Sequence, residues 1–192
     1  MNLVIFGPPG AGKGTQSGYI AKKFKLYQLS TGELLRNEIK NNTNLGKQIS
    51  STINSGNLVS NELVSNLIEK YLSDKTYQNK IIFDGYPRNL IQAQTLNDSL
   101  IKYNQKIHIA LRLTVSLDTI IKRIKERSAL EKRDDDSEEI AIKRYETYEK
   151  NIKPVIDFYK QSNLLKVVNG ESSIIEINNE ISALIESIKG WL

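Results

Sequence analysis

Short apolar runs separated by longer polar segments mark out this chain. Each run is bounded by polar or turn-forming residues, a pattern typical of strands buried on both faces of a parallel sheet. The runs of this kind are Leu3–Phe6, Ile81–Phe83, Ile107–Leu113 and Leu164–Val168. A weaker strand is predicted at Tyr27–Leu29. The pattern therefore predicts about five strands spread along the whole chain.

The segments between the runs carry apolar residues at helical spacing, which places those residues on one face of each helix. Such sets are Ile20, Ala21 and Phe24, then Leu63, Leu67, Ile68 and Tyr71, and then Leu117, Ile120, Ile121 and Ile124. The end of the chain, from Ile174 to Leu192, has the pattern of a further amphipathic helix. Strands that alternate with helices predict an α/β fold of three layers, with a parallel sheet of about five strands flanked by helices.

Two segments do not fit a compact core. Residues 31–59 are polar and rich in asparagine and show no strand pattern, which favours a small helical lobe. Residues 128–137, "SALEKRDDDS", have the composition of a short charged loop. Doubly wound folds bind their ligands at loops that follow the carboxyl ends of strands, so we expect both segments to lie near a ligand site.

Length and composition limit the classes of function. With 192 residues, of which 39% are apolar and 26% charged, the chain is expected to form one domain with an ordinary core. It has no cysteine, which excludes disulfides and cysteine-bound metals. No apolar run has the length of a membrane span and no signal-peptide pattern opens the chain. We therefore expect a cytoplasmic protein with no membrane partner.

The net charge of +5 favours a polyanionic partner, either a nucleic acid or a small phosphorylated molecule. The lysines are dispersed and mixed with acidic residues, as on a solvated surface, so we expect no nucleic-acid partner. No heptad pattern or broad apolar patch stands out, and we expect a monomer.

The stretch "GPPGAGKGT", residues 7–15, follows the first predicted strand and opens a helix. Its spacing is Gly-x-x-x-x-Gly-Lys, the pattern of a phosphate-binding P-loop. Glycines allow successive backbone N–H groups to turn toward an anion, and the helix N-terminus adds partial positive charge. Lys13 adds a full charge for the terminal phosphates. One departure is informative: Gly14 follows the lysine, and Thr15 comes one position later than the hydroxyl residue of most P-loops.

A second cluster of polar residues follows the strand predicted at Ile81–Phe83. The stretch "KIIFDGYPR" places Asp84 at the carboxyl end of that strand, where a carboxylate can hold Mg²⁺ or its water ligands beside the phosphates. Arg88, four residues later, can form two hydrogen bonds with a phosphate.

These stretches, with others, give the chain a close resemblance to the adenylate kinase family. The segments that carry it occur in order from Met1 to about Gly170: "GPPGAGKGT", "LSTGELLR", "GNLVSNELV", "FDGYPRNLIQAQ", "RIKER", "RDDDSEE" and "KRYETYEKNIKPVIDFY". The resemblance implies reversible phosphoryl transfer from Mg-ATP to AMP, giving two ADP. It also implies that the substrates ATP, AMP and ADP are the partners of the chain and that Mg²⁺ is its cofactor, with Asp84 acting on the metal through water.

The resemblance also implies which residues form each site. ATP binding is assigned to Gly10, Ala11, Gly12, Lys13, Gly14, Thr15, Arg127 and Ser172. AMP binding is assigned to Thr31, Arg36, Asn57, Leu58, Val59, Gly85, Tyr86, Pro87, Arg88, Gln92, Arg133 and Arg144. The catalytic set is Lys13, Arg88, Arg123, Arg127, Arg133 and Arg144. Arg123 is expected to reach the transferring group.

Specific roles follow within the AMP set. Thr31 is expected beside adenine, Arg36 on the AMP phosphate, and Gln92 on the edge of the base, where an amide can pair with a donor and an acceptor. Position 57 is Asn where many family members have Lys; because that contact is through the backbone, we expect it to survive. Phosphoryl transfer to a phosphate oxygen needs alignment and charge neutralisation, so no general base is expected.

The resemblance is to the short form of the family. Five residues, 128–132, separate Arg127 from Arg133, where long-lid members insert a larger segment that often binds zinc. We therefore expect no zinc and divide the chain into a core P-loop domain (1–29, 60–127 and 137–192), an AMP-binding lobe (30–59) and a short lid (128–136).

Three alternatives to this interpretation are less well supported by the sequence. UMP/CMP kinases are similar but usually carry Ala and Asn at positions 31 and 92. A nucleotide switch of the GTPase kind needs an Asn-Lys-x-Asp motif, which the sequence lacks. An inactive structural relative would be expected to lack some of the charged residues, and all of them are present.

Overall fold

The computed structural model describes residues 1–131 and 137–189. Within these ranges the chain forms five strands and eight α-helices. The strands are β1 (Asn2–Phe6), β2 (Tyr27–Ser30), β3 (Ile81–Asp84), β4 (Ile107–Thr114) and β5 (Leu165–Asn169). The helices are α1 (Lys13–Phe24), α2 (Thr31–Lys40), α3 (Asn44–Asn54), α4 (Asn61–Ser73), α5 (Leu90–Lys102), α6 (Leu117–Glu131), α7 (Glu138–Gln161) and α8 (Ile174–Lys189). A short 3₁₀ helix, Lys75–Tyr77, precedes β3.

The five strands form one parallel sheet in the order β2-β3-β1-β4-β5. The predicted α/β fold is therefore confirmed, including the weak strand at Tyr27. From β1 the chain crosses to the edge strand β2, returns to β3 beside β1, and then continues on the other side of β1 through β4 and β5. This reversal beside β1 opens a crevice at the carboxyl ends of the strands, where folds of this class bind ligands.

Two apolar cores, one on each face of the sheet, hold the three layers together. One contains the alternate β1 residues Val4 and Phe6 and packs against α4, α5 and α7. The other contains Leu3 and Ile5 and packs against α1 and α8. Since all five residues of β1 are buried, the strand is apolar at nearly every position, as its sequence pattern predicts.

Helix α2 begins where its sequence provides a cap. The hydroxyl of Ser30 accepts a hydrogen bond from the backbone N–H of Glu33, and α3 begins in the same way at Thr43. These two helices occupy the polar segment 31–59, which is helical as predicted.

Two elements differ from their sequence patterns. The strand β5 has a single fully buried residue, Val168, because it lies at the edge of the sheet rather than inside it. The charged segment 128–137 was expected to be a loop, but its first four residues continue α6 to Glu131. Residues 132–136 of the predicted lid lie outside the described residues.

Candidate active site

The glycine-rich segment between β1 and α1 lies at the carboxyl edge of the sheet. Gly12 caps α1 with φ 86°, in the left-handed region that glycine tolerates and other residues rarely adopt. The turn lets the side chain of Lys13 fold back over the segment, where its Nζ donates hydrogen bonds to the carbonyl oxygens of Gly7 and Pro8, both at 2.8 Å. The segment therefore has the conformation and the charge of a phosphate-binding loop.

The Lys13 ammonium group can lose its proton near neutral pH. Burial lowers its pKa to about 7, and the carboxylate of Asp84 opposes part of the shift. The cationic side chains of Arg88, Arg144 and Arg127 lower the pKa further. Three arginines from different parts of the chain thus act on the same ammonium group, as they would on a shared polyanionic ligand.

Asp84 ends β3 beside the glycine-rich segment, and only 5% of its surface is exposed. The side-chain amide of Gln28, on β2, donates to Asp84 Oδ2 at 3.0 Å and to the carbonyl oxygen of Gly14 at 3.3 Å. Burial raises the pKa of Asp84, while Lys13 and the hydrogen bond from Gln28 act in the opposite direction. Gln28 therefore links the carboxylate to the phosphate-binding segment.

A cleft runs from the glycine-rich segment to the lobe formed by α2 and α3. It brings together the predicted catalytic residue Lys13 and eleven of the twelve residues predicted to bind AMP. These eleven are Thr31, Arg36, Asn57, Leu58, Val59, Gly85, Tyr86, Pro87, Arg88, Gln92 and Arg144. The twelfth, Arg133, lies outside the described residues.

An apolar wall of the cleft was not predicted. It consists of Leu35, Ile53, Val64, Tyr148 and Ile152. Apolar residues on amphipathic helices are indistinguishable by sequence from core residues, so their pattern carried no signal of a binding site. The wall gives the cleft the composition of a nucleoside site, with a few polar groups on an apolar surface.

One backbone carbonyl organises two of the polar groups. The carbonyl oxygen of Gly85 accepts from the hydroxyl of Thr31 at 3.1 Å and from Nε of Arg88 at 2.7 Å. Because the Thr31 hydroxyl donates its hydrogen to Gly85, its oxygen can still accept a hydrogen bond from a ligand amine in the cleft. The hydrogen bond to Nε holds the guanidinium of Arg88 beside Gly85.

Gln92 lies on the first turn of α5 and is 2% exposed. Its Oε1 accepts from the backbone N–H of Arg88 at 2.8 Å, and its Nε2 donates to Oδ1 of Asn61 at 3.0 Å. A primary amide can make four hydrogen bonds. One donor and one acceptor of Gln92 therefore remain for a ligand.

Arg123, which was predicted to be catalytic, and Ser172, which was predicted to bind ATP, do not line the cleft. Nη2 of Arg123 donates to the carbonyl oxygen of Gly170 at 2.8 Å, so this guanidinium lies against the loop between β5 and α8. Ser172 belongs to the same loop. The carboxylate of Glu171 links the loop to the start of α6. It accepts hydrogen bonds from the backbone N–H of Ser116 at 2.6 Å and from the hydroxyl of Thr119 at 2.7 Å.

Gln28, Asn61 and Glu171 are absent from the residues expected to form the site. Each acts on a predicted residue or loop rather than on the cleft itself. Polar residues in a strand, at a helix start or in a turn are common, and their partners are distant in sequence. No sequence signal distinguishes them.

Comparison with known proteins agrees with the resemblance carried by the sequence motifs. The adenylate kinase family matches residues 5–164 of the chain. The adenylate kinase of Pelagibacter ubique (strain HTCC1062) is 41% identical, with 97% of this chain and 100% of the relative covered. That of Prochlorococcus marinus (strain MIT 9515) is 42% identical, with 94% and 96% covered. That of Archaeoglobus fulgidus is 34% identical, with 98% and 100% covered.

Proposed function

The chain belongs to the adenylate kinase family, and we propose that the glycine-rich segment and the adjoining cleft carry out its reaction with the residues assigned below. The enzyme catalyses transfer of a phosphoryl group from ATP to AMP to give two ADP. One observation carries the assignment: Lys13 belongs to the glycine-rich segment and also lines the cleft. The two nucleotides would therefore meet at its ammonium group.

In this arrangement ATP lies with its phosphates on residues 10–15 and its base toward the loop that contains Ser172. Arg123 is hydrogen-bonded to the carbonyl oxygen of Gly170 in that loop. This contact favours a position for the Arg123 guanidinium beside the ATP base rather than at the transferring group. Arg127 acts electrostatically on Lys13 and is assigned to the ATP phosphates.

AMP occupies the cleft, with its base between Thr31 and Gln92 and its phosphate facing Lys13. Arg36, Arg88 and Arg144 line the cleft, and we assign them to that phosphate. Arg133, from the predicted lid, completes the set. Thr31 presents an acceptor and Gln92 both an acceptor and a donor, the pattern that the amine and ring nitrogen of adenine require. This favours AMP over UMP and CMP as the acceptor.

Catalysis needs no proton acceptor in this scheme. The attacking atom is an oxygen of the AMP phosphate, already anionic, and the obstacle is the repulsion between two polyphosphates. Lys13 and the arginines offset that repulsion and hold attacking and leaving oxygens in line. Closure of the lobe (30–59) and the lid (128–136) over the core would keep water from the transferring group.

Membership of the family implies the use of Mg-ATP. Asp84 fits a role toward the metal because its buried carboxylate lies beside Gly14 and Lys13, and because Gln28 donates to Oδ2 and leaves Oδ1 as an acceptor. We propose that Asp84 holds the ion through its water ligands. When bound, Mg²⁺ neutralises charge on the ATP phosphates. The sequence has no cysteine and so no cysteine-bound zinc in its lid.

Other expectations from the sequence remain predictions. No helix within the described ranges has the length and apolarity to cross a membrane. The monomeric state and the cytoplasmic location are still inferred from the sequence alone, and gel filtration with light scattering would test the first.

Steady-state kinetics in which AMP and ATP are varied separately test the assignment. Replacing Arg36→Ala removes one charge-assisted contact to AMP and should raise the KM for AMP about 10- to 100-fold, with little change in the KM for ATP. Lys13→Met should lower kcat by about 10³–10⁵. Lys23→Ala is the matched control, since Lys23 also lies on α1 but pairs with Glu186 at the surface. An equal rise in both KM values in Arg36→Ala would contradict the assignment.

A further inference from the structure

Asn61, the first residue of α4, joins that helix to the start of α5. Its Oδ1 accepts from Nδ2 of Asn89 at 2.9 Å and from Nε2 of Gln92 at 3.0 Å. Asn61 does not line the cleft. It therefore contacts Gln92 from outside the cleft.

The orientation of these amides is set by two backbone donors, which cannot reverse. The N–H of Arg88 donates to Oε1 of Gln92 at 2.8 Å, and the N–H of Gln92 donates to Oδ1 of Asn89 at 2.9 Å. The second bond turns Nδ2 of Asn89 toward Asn61, so Asn61 must present its oxygen. That oxygen in turn requires Nε2, not Oε1, of Gln92.

A reversed Gln92 amide would therefore be opposed at both ends. Its nitrogen would face the N–H of Arg88, donor against donor, and its oxygen would face Oδ1 of Asn61, acceptor against acceptor. Asn61 supplies one of the two restraints, and the backbone of Arg88 supplies the other.

The direction of the amide matters because purines differ in the same two atoms. Adenine offers an amine donor at C6 beside the acceptor N1, whereas a 6-oxopurine offers an oxygen acceptor at C6 beside a donor N1–H. With Oε1 and Nε2 fixed in place, Gln92 matches adenine and meets a 6-oxopurine with like groups opposed. A reversed amide would match the 6-oxopurine.

We propose that Asn61 is a specificity-determining residue that acts through Gln92, holding its amide in the orientation that accepts adenine and rejects 6-oxopurine nucleotides. This inference rests on the proposed function, in which Gln92 meets the base of AMP. Asn61 is a positioning residue: it contacts neither substrate, and its contribution is to the choice of base rather than to phosphoryl transfer.

The test compares kcat/KM for AMP and for IMP, a 6-oxopurine nucleotide, in the wild type and in Asn61→Ala, Asn61→Asp and Gln92→Leu. In Asn61→Ala the ratio of AMP to IMP should fall about 3- to 10-fold, the equivalent of one neutral hydrogen bond, with the KM for ATP unchanged. In Asn61→Asp the ratio should stay near that of the wild type, because a carboxylate accepts from both amides. Alanine and aspartate both suit the first turn of a helix, so both variants should fold.

The outcomes separate the inference from the function on which it rests. If Gln92→Leu lowers the ratio and Asn61→Ala does not, Asn61 has no part in specificity and the inference is wrong, while the function stands. If Asn61→Asp loses selectivity as far as Asn61→Ala does, the acceptor role is wrong. If Gln92→Leu leaves the ratio unchanged, the proposed contact between Gln92 and the base fails, and the role of Asn61 fails with it.

Discussion

Lys13 is the residue at which we propose that the two substrates meet, and its charge depends on its surroundings. Burial and three neighbouring arginines lower its pKa to about 7, against the opposing effect of Asp84. A polyphosphate placed on the loop would stabilise the ammonium form and raise that pKa again. Substrate binding and protonation of Lys13 are therefore linked.

This linkage predicts that ATP binding takes up a proton at pH 8. With a pKa of about 7, Lys13 of the free enzyme is mostly neutral by pH 8, whereas the complex requires the cation. Affinity for ATP should therefore fall as pH rises from 7 to 9. Isothermal titration calorimetry in two buffers of different ionisation enthalpy measures the uptake. Lys13→Arg remains cationic and should lose the uptake; equal uptake in both proteins would contradict the pKa assigned to Lys13.

Single residues could be predicted from the sequence where a motif fixes their place. Lys13, Asp84, Arg88 and Gln92 come together at one edge of the sheet as the motifs imply. Asn61 could not be predicted in this way, because its importance lies in two contacts to residues 28 and 31 positions away. Such pairings depend on how helices pack, which no local pattern encodes.

At the scale of elements, α4 is joined to the segment after β3 by a partly buried polar contact. The hydroxyl of Tyr86 lies 3.2 Å from Oγ of Ser65, and Tyr86 is 1% exposed. A buried hydroxyl that loses its partner destabilises the folded state more than one removed together with its partner. The contact therefore matters more for stability than its single hydrogen bond suggests.

We expect Ser65→Ala to lower the free energy of unfolding by about 1–3 kcal/mol, because it leaves the Tyr86 hydroxyl buried without that partner. Adding Tyr86→Phe should recover part of the loss. Urea denaturation of the two single variants and the double variant gives the coupling between the sites. Strictly additive losses would show that the two hydroxyls do not interact.

The start of β4 carries a titratable contact to β1. Nδ1 of His108 accepts from the N–H of Asn2 at 3.0 Å. Burial lowers the pKa of His108, and the N-terminal ammonium and Lys106 add to the shift. Protonation would also convert Nδ1 from acceptor to donor. His108 is therefore a structural histidine, half-buried on its strand, and belongs to the end of the sheet opposite the cleft.

Since the folded protein binds a proton at His108 less readily than the unfolded chain, stability should fall as pH decreases through the usual range of histidine, near 6.5. His108→Asn keeps an acceptor for Asn2 but does not titrate. Its free energy of unfolding should depend less on pH between 7.5 and 5.5 than that of the wild type. Identical slopes in thermal or urea unfolding would exclude the contribution of His108.

The elements themselves were largely predictable. Strands such as β1 have apolar runs because both faces are covered, and α2 begins where Ser30 provides a cap. The sequence failed where position in the fold decides: β5 is exposed because it lies at the edge of the sheet. The charged stretch at residue 128 is compatible with a helix, and α6 continues through its first turn.

On the scale of the whole molecule, the order β2-β3-β1-β4-β5 explains why two anionic substrates can meet. The chain diverges on either side of β1, so the glycine-rich segment after β1 and Asp84 at the end of β3 face the same crevice. The lobe of α2 and α3 closes one side and α7 contributes Arg144 and Tyr148. Cationic groups from distant parts of the chain thus converge on a single cleft.

The central claim is that this cleft selects AMP as the acceptor of a phosphoryl group from Mg-ATP. The most direct test measures initial rates of ADP formation from Mg-ATP with AMP, CMP, UMP, GMP or dTMP, alongside Arg88→Ala. The account predicts turnover chiefly with AMP and a loss of about 10³–10⁵ in Arg88→Ala. Turnover chiefly with UMP or CMP would contradict the roles assigned to Thr31 and Gln92, and undiminished turnover in Arg88→Ala would contradict the charge-neutralising role of the cleft.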